Sequence, residues 1–450
     1  MGMWDVDCKF VKEALMREYK KRIGNVEEVR RRPKVQHLPF CLRGNKTFDE
    51  FYIPKLISFG PLLIYQDMHW ESTERYKFMW TSKYLQDTNQ SFHDLFNTIN
   101  DQLDDLKELF VNDIHASGEN LVCLLIVDAC SILHVLDKSY CSNSPELELN
   151  ISVDELIRVL DDILLLHSQI PFKILKIICN DEAKLNRCLQ NLLRIHGFML
   201  TSKGTQVLSN HTIVQIQEQV QAEEKNDPLH LLDYLHRAVL MRSGDAPQIP
   251  HREIISKWRS LHLRKYRIGS IRELKEVGIR VLKHRNDTFS HPTFVDGTLN
   301  LPMLTVDGST AVIFMNLIAH EMSPDFNNNF EISSYIVFMS SLIEQPEDVK
   351  ELRNGGIVVN ELASDREVAN LFNKLDTLLV PETARYADIR DQIQMYVMTK
   401  RSKIKMLGWF REATNTFFRS PWAIIAVLAA TLGLTLTFIQ TWFAVHPKGS

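Results

Sequence analysis

Asp128 stands in the run Leu124-Leu125-Ile126-Val127-Asp128-Ala129-Cys130, with apolar side chains on both sides. A carboxylate buried there without a partner costs several kcal/mol or takes a raised pKa, and such an acid can move protons in catalysis. The commoner arrangement is a carboxylate satisfied by a backbone or side-chain donor, which is a structural role. Gln169, ahead of Ile170-Pro171-Phe172, and Glu321, after His320, are the polar residues that could join Asp128 in a hydrolase site. His167 and His230 could converge on the same point. Each also has a plain reading: His167 as a loop or helix-cap residue, Asp233 as a carboxylate facing a basic partner.

Other chemistry is excluded more firmly. His320-Glu321 begins like a zinc-protease helix, but no histidine follows four residues on and Pro324 interrupts. The seven cysteines are odd in number and form no CxxC pair, so neither a disulfide framework nor a structural zinc site is expected. No P-loop, dinucleotide fingerprint or Gly-x-Ser-x-Gly elbow occurs. No metal and no cofactor is therefore expected. A net charge of −4 supplies no basic field, so nucleic acid is not expected as a partner. Arg30–Arg32 reads as a solvated face, with anionic lipid headgroups as the second reading.

The elements that must position these residues are mostly helices. With 450 residues, 45% hydrophobic and 24% charged, the chain is an ordinary globular protein larger than one core usually supports. Only 17 Gly and 16 Pro suit long helices with short turns. Residues 1–33 read as a helical extension and 34–70 as irregular chain packed across a surface. The helical pattern runs over 71–114, and the run 121–136 is central core. Further helices are expected at 154–166, 171–178 and 228–240. Residues 200–227 and 241–252 read as polar loop and linker. Ser270 and Glu273 form a capping box that starts another helix. A small β element follows at about 278–306, where short β-prone runs are broken by Gly and Pro. Helices resume at 309–322, 332–344, 347–353 and 365–375, and a long polar helix at 382–416 ends the body.

From Pro421 to Val445 no charge interrupts the chain. About 20 apolar residues rising 1.5 Å each cross a bilayer core of roughly 30 Å, so one C-terminal transmembrane helix is expected. Trp422 and Trp442 stand near its ends, where interfacial aromatics belong. Lys400, Arg401, Lys403, Lys405, Arg411 and Arg419 precede it, and only Lys448 follows, in the tail 446–450. The positive-inside rule then puts the body in the cytosol, anchored to the plasma membrane or an endomembrane. Five Asn-x-Ser/Thr sequons, among them Asn89 and Asn150, would become glycan acceptors if the body were luminal.

An ordered series of fragments carries a family resemblance. It runs Leu38-Pro39 with Leu42-Arg43, then Tyr52-Ile53-Pro54, Ser58-Phe59-Gly60-Pro61 and Glu74-x-x-Lys77. Next come Asp128 in its apolar run, Gln169-Ile170-Pro171-Phe172, His230-Leu231-Leu232-Asp233 and Glu273-Leu274 with Gly278-Ile279. Leu301-Pro302, Asn316-Leu317-Ile318-Ala319, Asp348-Val349, Gly356-Ile357 with Asn360, and Phe418 with Pro421-Trp422 complete it. The chain from about residue 35 to its end resembles the plant family known as domain of unknown function 247. It departs at Leu62-Leu63 (usually His-His), at His167-Ser168 (usually Glu-Asn), at Ala129-Cys130-Ser131 (usually Gly-Cys-Phe) and at His320-Glu321-Met322 (usually Phe-Glu-Gln).

The resemblance implies a plant membrane protein without an established catalytic activity. Some grass members are implicated in pollen–stigma self-incompatibility, which implies specific protein recognition. The expectation is thus a mainly α, single-pass membrane protein that works by binding an unknown protein partner, with the bilayer as its other partner through Pro421 to Val445. A membrane-tethered hydrolase built on Asp128, Gln169 and Glu321 is the alternative, and a diverged copy without activity is the third reading.

Overall fold

The computed structural model describes residues 33–43, 48–62, 70–111, 116, 118–141, 144–198, 227–241, 268–284, 291–323, 330–376, 386, 388–400 and 421–445. In chain order the helices are α1 (Phe48–Phe51), α2 (Trp70–Thr88), α3 (Phe92–Asn100), α4 (Leu103–Lys107), α5 (Glu119–Cys141), α6 (Pro145–Leu149), α7 (Val153–Ile163), α8 (Phe172–Ile178), α9 (Glu182–Ile195), α10 (Leu231–Met241) and α11 (Ile271–Glu276). Strands β1 (Arg280–Lys283), β2 (Thr293–Val295), β3 (Thr298–Leu301) and β4 (Leu304–Val306) follow. Then come α12 (Thr310–Glu321), α13 (Glu331–Leu342), α14 (Pro346–Asn354), β5 (Val358–Asn360) and α15 (Asp365–Asp376). A helical stretch α16 covers 388–400, and α17 is Pro421–Val445.

Two helices with apolar residues on every side organise the core, as such helices must be buried on every side. Helix α5 is enclosed by α2, α3, α8 and α9. Its Leu125, Ile126, Ala129, Leu133 and Leu136 are buried, and Trp80 of α2 packs beside it, donating from Nε1 to Leu149 O at 2.9 Å. Helix α12 is the second axis. It is buried along its described length and touches α10, α13 and α15. Helix α9 fills one flank of α5 with Leu185, Cys188, Leu189 and Leu192. That stripe has helical spacing.

The expected β element is present but divided. Strand β3 pairs with β1 in parallel and with β2 antiparallel. Asp296 and Gly297, at φ 49° and 72°, make the two-residue turn that joins β2 to β3. A side chain at Gly297 would also strike the Tyr396 ring of α16. Strand β4 leaves this sheet and pairs in parallel with β5, Leu304 opposite Val358. Strand β5 lies outside the expected 278–306. Its partner arrives only after three helices, and a three-residue strand has no periodicity to read.

A second difference concerns residues 35–62. This irregular segment does not lie across a surface: Val35, Leu38, Ile57 and Phe59 are buried in the main core. Irregular backbone at such depth must find hydrogen-bond partners outside any ladder, and it finds them on helical side chains.

Helix α17 is uninterrupted over its 25 residues. Among the described residues, the helix that is long and apolar enough to cross a membrane is Glu119–Tyr140, most of which is buried inside the body. The described side chains of α17 give a shorter apolar stretch, Leu428–Trp442. The spanning role expected for Pro421–Val445 is therefore a reading of its sequence, which the described residues do not bear out. The helical extension 1–33 (save residue 33), the loop 200–227 (save Asp227), the linker 241–252 (save Met241) and the tail 446–450 lie outside the described residues, as does most of the expected helix 382–416 beyond α16.

Candidate functional site

Two buried polar clusters contain the residues singled out by the sequence. The first centres on Asp128, 1% exposed in the middle of α5. Its Oδ1 accepts from Lys77 Nζ at 2.7 Å and its Oδ2 from Gly60 N at 2.7 Å. Lys77 of α2 also donates to Ser58 O at 3.0 Å, pairs with Glu74 at 2.8 Å, and stands over the Phe59 ring. Burial works against the lysine's charge, but Asp128 and then Glu74 more than offset it and hold Lys77 above its usual range.

The same irregular segment is gripped at three further points. Asp162 of α7 accepts from the N–H groups of Lys55, Leu56 and Ile57 at 2.8–2.9 Å. His167 Nε2 accepts from Leu38 N at 2.8 Å. Asn316 of α12 accepts from Leu166 N and donates to Phe51 O, both at 2.9 Å. Gly60, at φ 73°, is required here: a Cβ would meet Gln169 O at 2.7 Å. Gln169 is spent on backbone as well, donating to Ile163 O and Leu165 O at 2.8 Å and accepting from Leu232 N at 3.0 Å.

The second cluster lies between α10, α12 and the start of α13. His230 caps α10, its Nδ1 accepting from Asp233 N at 3.0 Å. Asp233 accepts from Leu229 N at 2.7 Å, from Arg237 Nε at 3.2 Å and from His320 Nε2 at 3.3 Å. Glu321, fully buried, accepts from Ile332 N, Ser333 N and Ser333 Oγ at 2.8, 2.9 and 2.6 Å, and from His236 Nε2 at 3.0 Å. The His320 ring lies 5.0 Å from that of His230 and 5.6 Å from that of His236. Burial holds His230 neutral, down to about 3. Burial pushes Asp233 upward, but His320 and Arg237 outweigh it and keep this carboxylate well below its usual range.

Asp128 and Gln169 are therefore neighbours through Gly60, whereas Glu321 belongs to the other cluster. Their side-chain oxygens and nitrogens are engaged by groups of the chain itself, mainly backbone. Such an arrangement orients helices and fixes an irregular segment. Among the described residues no group of three or more His, Cys, Asp or Glu side chains is placed to hold a metal ion. The cysteines Cys123, Cys130, Cys179 and Cys188 are free thiols.

Three important residues were not singled out as site residues from sequence, although each left a trace there. Lys77 sits three residues after Glu74. Asp162 falls on the apolar stripe of α7 with Leu156, Val159 and Ile163, and His236 falls on that of α10 with Leu232, Leu235 and Val239. A polar residue on a buried stripe is the informative exception.

No solved structure matches this chain. Among curated proteins it is similar to the UPF0481 protein At3g47200 of Arabidopsis thaliana, 24% identical over 418 residues, which cover 88% of this chain and 83% of that one. It is also similar to the putative UPF0481 protein At3g02645 of the same plant, 22% identical over 477 residues, covering 88% and 87%. The family model for DUF247, described as a plant protein of unknown function, matches residues 35–436. That match takes in both buried clusters and most of α17, and the chain belongs to this plant family.

Proposed function

We propose that this protein is a membrane-anchored recognition component: α17 holds it to a bilayer, and the helical body binds another protein. The observation that carries the anchor is the exposure of α17. Ile425, Leu428, Leu432, Leu434, Phe438 and Trp442 are all exposed, Leu434 at 72%, on a helix without a charged residue. Water is a poor solvent for such a surface, since large exposed apolar patches mark membrane or protein contact. Helix α5, itself long and apolar enough to span, hides most of its side chains inside the body, whereas the described side chains of α17 are exposed. Lipid also suits a helix because all its backbone groups are paired internally.

Recognition is favoured over catalysis by the two clusters. Asp128, Gln169 and Glu321 give their polar atoms to backbone and to buried partners, so a hydrolase would have to break the fold to use them. Protein contact needs no such groups. In the self-incompatibility-like version of this reading, residues 200–227 carry specificity.

Membrane fractionation of the full-length protein tests the anchor. The protein is expected to stay in the pellet through alkaline carbonate extraction and to become extractable when residues 421–445 are deleted. Protease added to sealed vesicles with the cytosolic face outward is expected to digest the body, and no glycan is expected on Asn89 or Asn150. Full extraction of the intact chain would remove the anchor; unchanged partner choice after exchange of residues 200–227 would remove that loop as the specificity surface.

A further inference from the structure

We propose that His167, Ser168 and Arg43 form a binding site for a compact oxyanion, a phosphate or a carboxylate. They meet where the segment around Leu38 crosses the 3-10 turn Leu166–Ser168. The site is separate from α17 and uses atoms, His167 Nδ1 and Ser168 Oγ, that make no hydrogen bond within the chain.

The argument begins with the histidine tautomer. His167 Nε2 accepts the Leu38 N–H, so this nitrogen carries no proton. In a neutral imidazole the proton then sits on Nδ1, which is a donor. Burial, with His37 and Arg43 nearby, keeps the ring neutral, down to about 3. The Nδ1 atom is buried and has no hydrogen-bond partner, and the adjacent Ser168 Oγ is in the same condition. Both residues are more than nine-tenths buried. Of the eleven such atoms among the described residues these two are the pair in consecutive residues, and two donors left open side by side in the chain are where a ligand's oxygens would be accepted.

Arg43 supplies the charge. Its Nε donates to Leu38 O at 3.0 Å, so one residue is held by its N–H through His167 and by its carbonyl through Arg43. That shared grip brings the guanidinium beside the imidazole. None of the ion pairs among the described residues involves Arg43. Its side chain is exposed, whereas His167 and Ser168 are buried. The His37 ring stands edge-on to His167, with centroids 6.1 Å apart. The arrangement is a cation at the entrance with uncharged donors within, the pattern that suits an oxyanion. The depth of His167 and Ser168 limits the ligand to a small group or the tip of a larger one.

Full-length protein in detergent micelles would be titrated with inorganic phosphate and, separately, acetate. Chloride matches ionic strength, and pH is held at 7.5. Thermal unfolding and the ring-nitrogen NMR resonances of 15N-histidine-labelled protein are the readouts. A saturable shift of one Nδ1 resonance with a rise in Tm is expected from at least one of the two anions, and which one responds separates phosphate from carboxylate. Arg43→Gln is expected to weaken that response about tenfold or more, and Ser168→Ala by a smaller factor. His167→Glu carries its own carboxylate to Arg43 and is expected to abolish the response while the protein stays folded. It serves as the decisive variant if Arg43→Gln misfolds. No saturable response to either anion up to tens of millimolar overturns the site and leaves a water as occupant. An equal response in wild type and His167→Glu overturns it too, as an anion effect elsewhere on the protein.

Discussion

The two buried clusters use similar residues to opposite ends. Around Asp128 a lysine faces two carboxylates, Asp128 and Glu74, and the group holds irregular backbone: Gly60 N–H and Ser58 C=O are both bound there. Around Asp233 and Glu321 the bases are three imidazoles and one guanidinium, and what is held is the ends of helices: the start of α10 through His230 and the start of α13 through Glu321. The first cluster is built on a lysine that its carboxylates hold above its usual range. The second is built on groups whose protonation changes between pH 5 and 8 unless burial prevents it. The difference teaches that buried polarity in this protein is mostly scaffolding, and that of the two clusters the second is the one built on imidazoles.

The largest expected effect breaks the first cluster. Asp128→Ala leaves Lys77 buried with Glu74 as its one remaining carboxylate, and orphans the Gly60 N–H. Losing one member of a buried ion pair costs about 3–5 kcal/mol. Urea unfolding followed by the fluorescence of buried Trp80 and its fellow tryptophans would read this as a lower midpoint with an unchanged slope. A loss under 1 kcal/mol would mean that Glu74 and water suffice.

Gly60→Ala attacks the same segment through its backbone. The position has positive φ, and the new methyl would lie 2.7 Å from the Gln169 carbonyl, which is backbone and cannot swing away. Left-handed φ alone costs roughly 1–2 kcal/mol for an L side chain, and the clash adds to it. About 2–4 kcal/mol is expected by the same urea assay. The second cluster has no position of this kind, so backbone substitutions at 230–237 are expected to cost less.

Acid sharpens the comparison. His230 and His167 are held neutral down to about 3, and His134 and His196 down to about 4, with burial as the leading cause in each. An unfolded histidine titrates near 6.5. Between that pH and the folded value the unfolded chain binds more protons, so stability is complete above about 6.5 and falls as pH falls. Each such histidine contributes up to about 1.4 kcal/mol per pH unit within its window. His230→Asn retains a good N-cap for α10 and removes one titrating ring. The slope of stability between pH 6 and 4 is expected to flatten by about one proton; an unaltered slope would mean that His230 is protonated in the folded protein.

What the sequence made legible follows from range. Local features were readable: the Ser270–Glu273 box forms with both of its bonds, and most expected helices end within a few residues of the observed ones. Helix α9 was missed although its stripe was regular, because its many charged residues disguise the period. Asp128 was recognisable as a buried acid, but its partners Gly60 and Lys77 lie 68 and 51 residues away, and no spacing rule connects them. The parallel pairing of β4 with β5 fails for the same reason. Arg43 drew no notice for the same reason, since its having no ion pair among the described residues is a property of the folded chain.

The smallest expected effect lies outside both clusters and measures their baseline. Ser270 caps α11 by accepting from Glu273 N, and Glu273 returns the bond to Ser270 N. Ser270→Ala removes one acceptor at a helix start, where the loss is typically about 1 kcal/mol. His230 performs a comparable capping bond for α10, to the backbone of Asp233, but its ring also lies edge-on to that of His320. If His230→Ala costs no more than Ser270→Ala in the urea assay at pH 7.5, the imidazole cluster adds nothing beyond ordinary capping. A cost at least twice as large is expected, because packing between the rings is lost together with the cap.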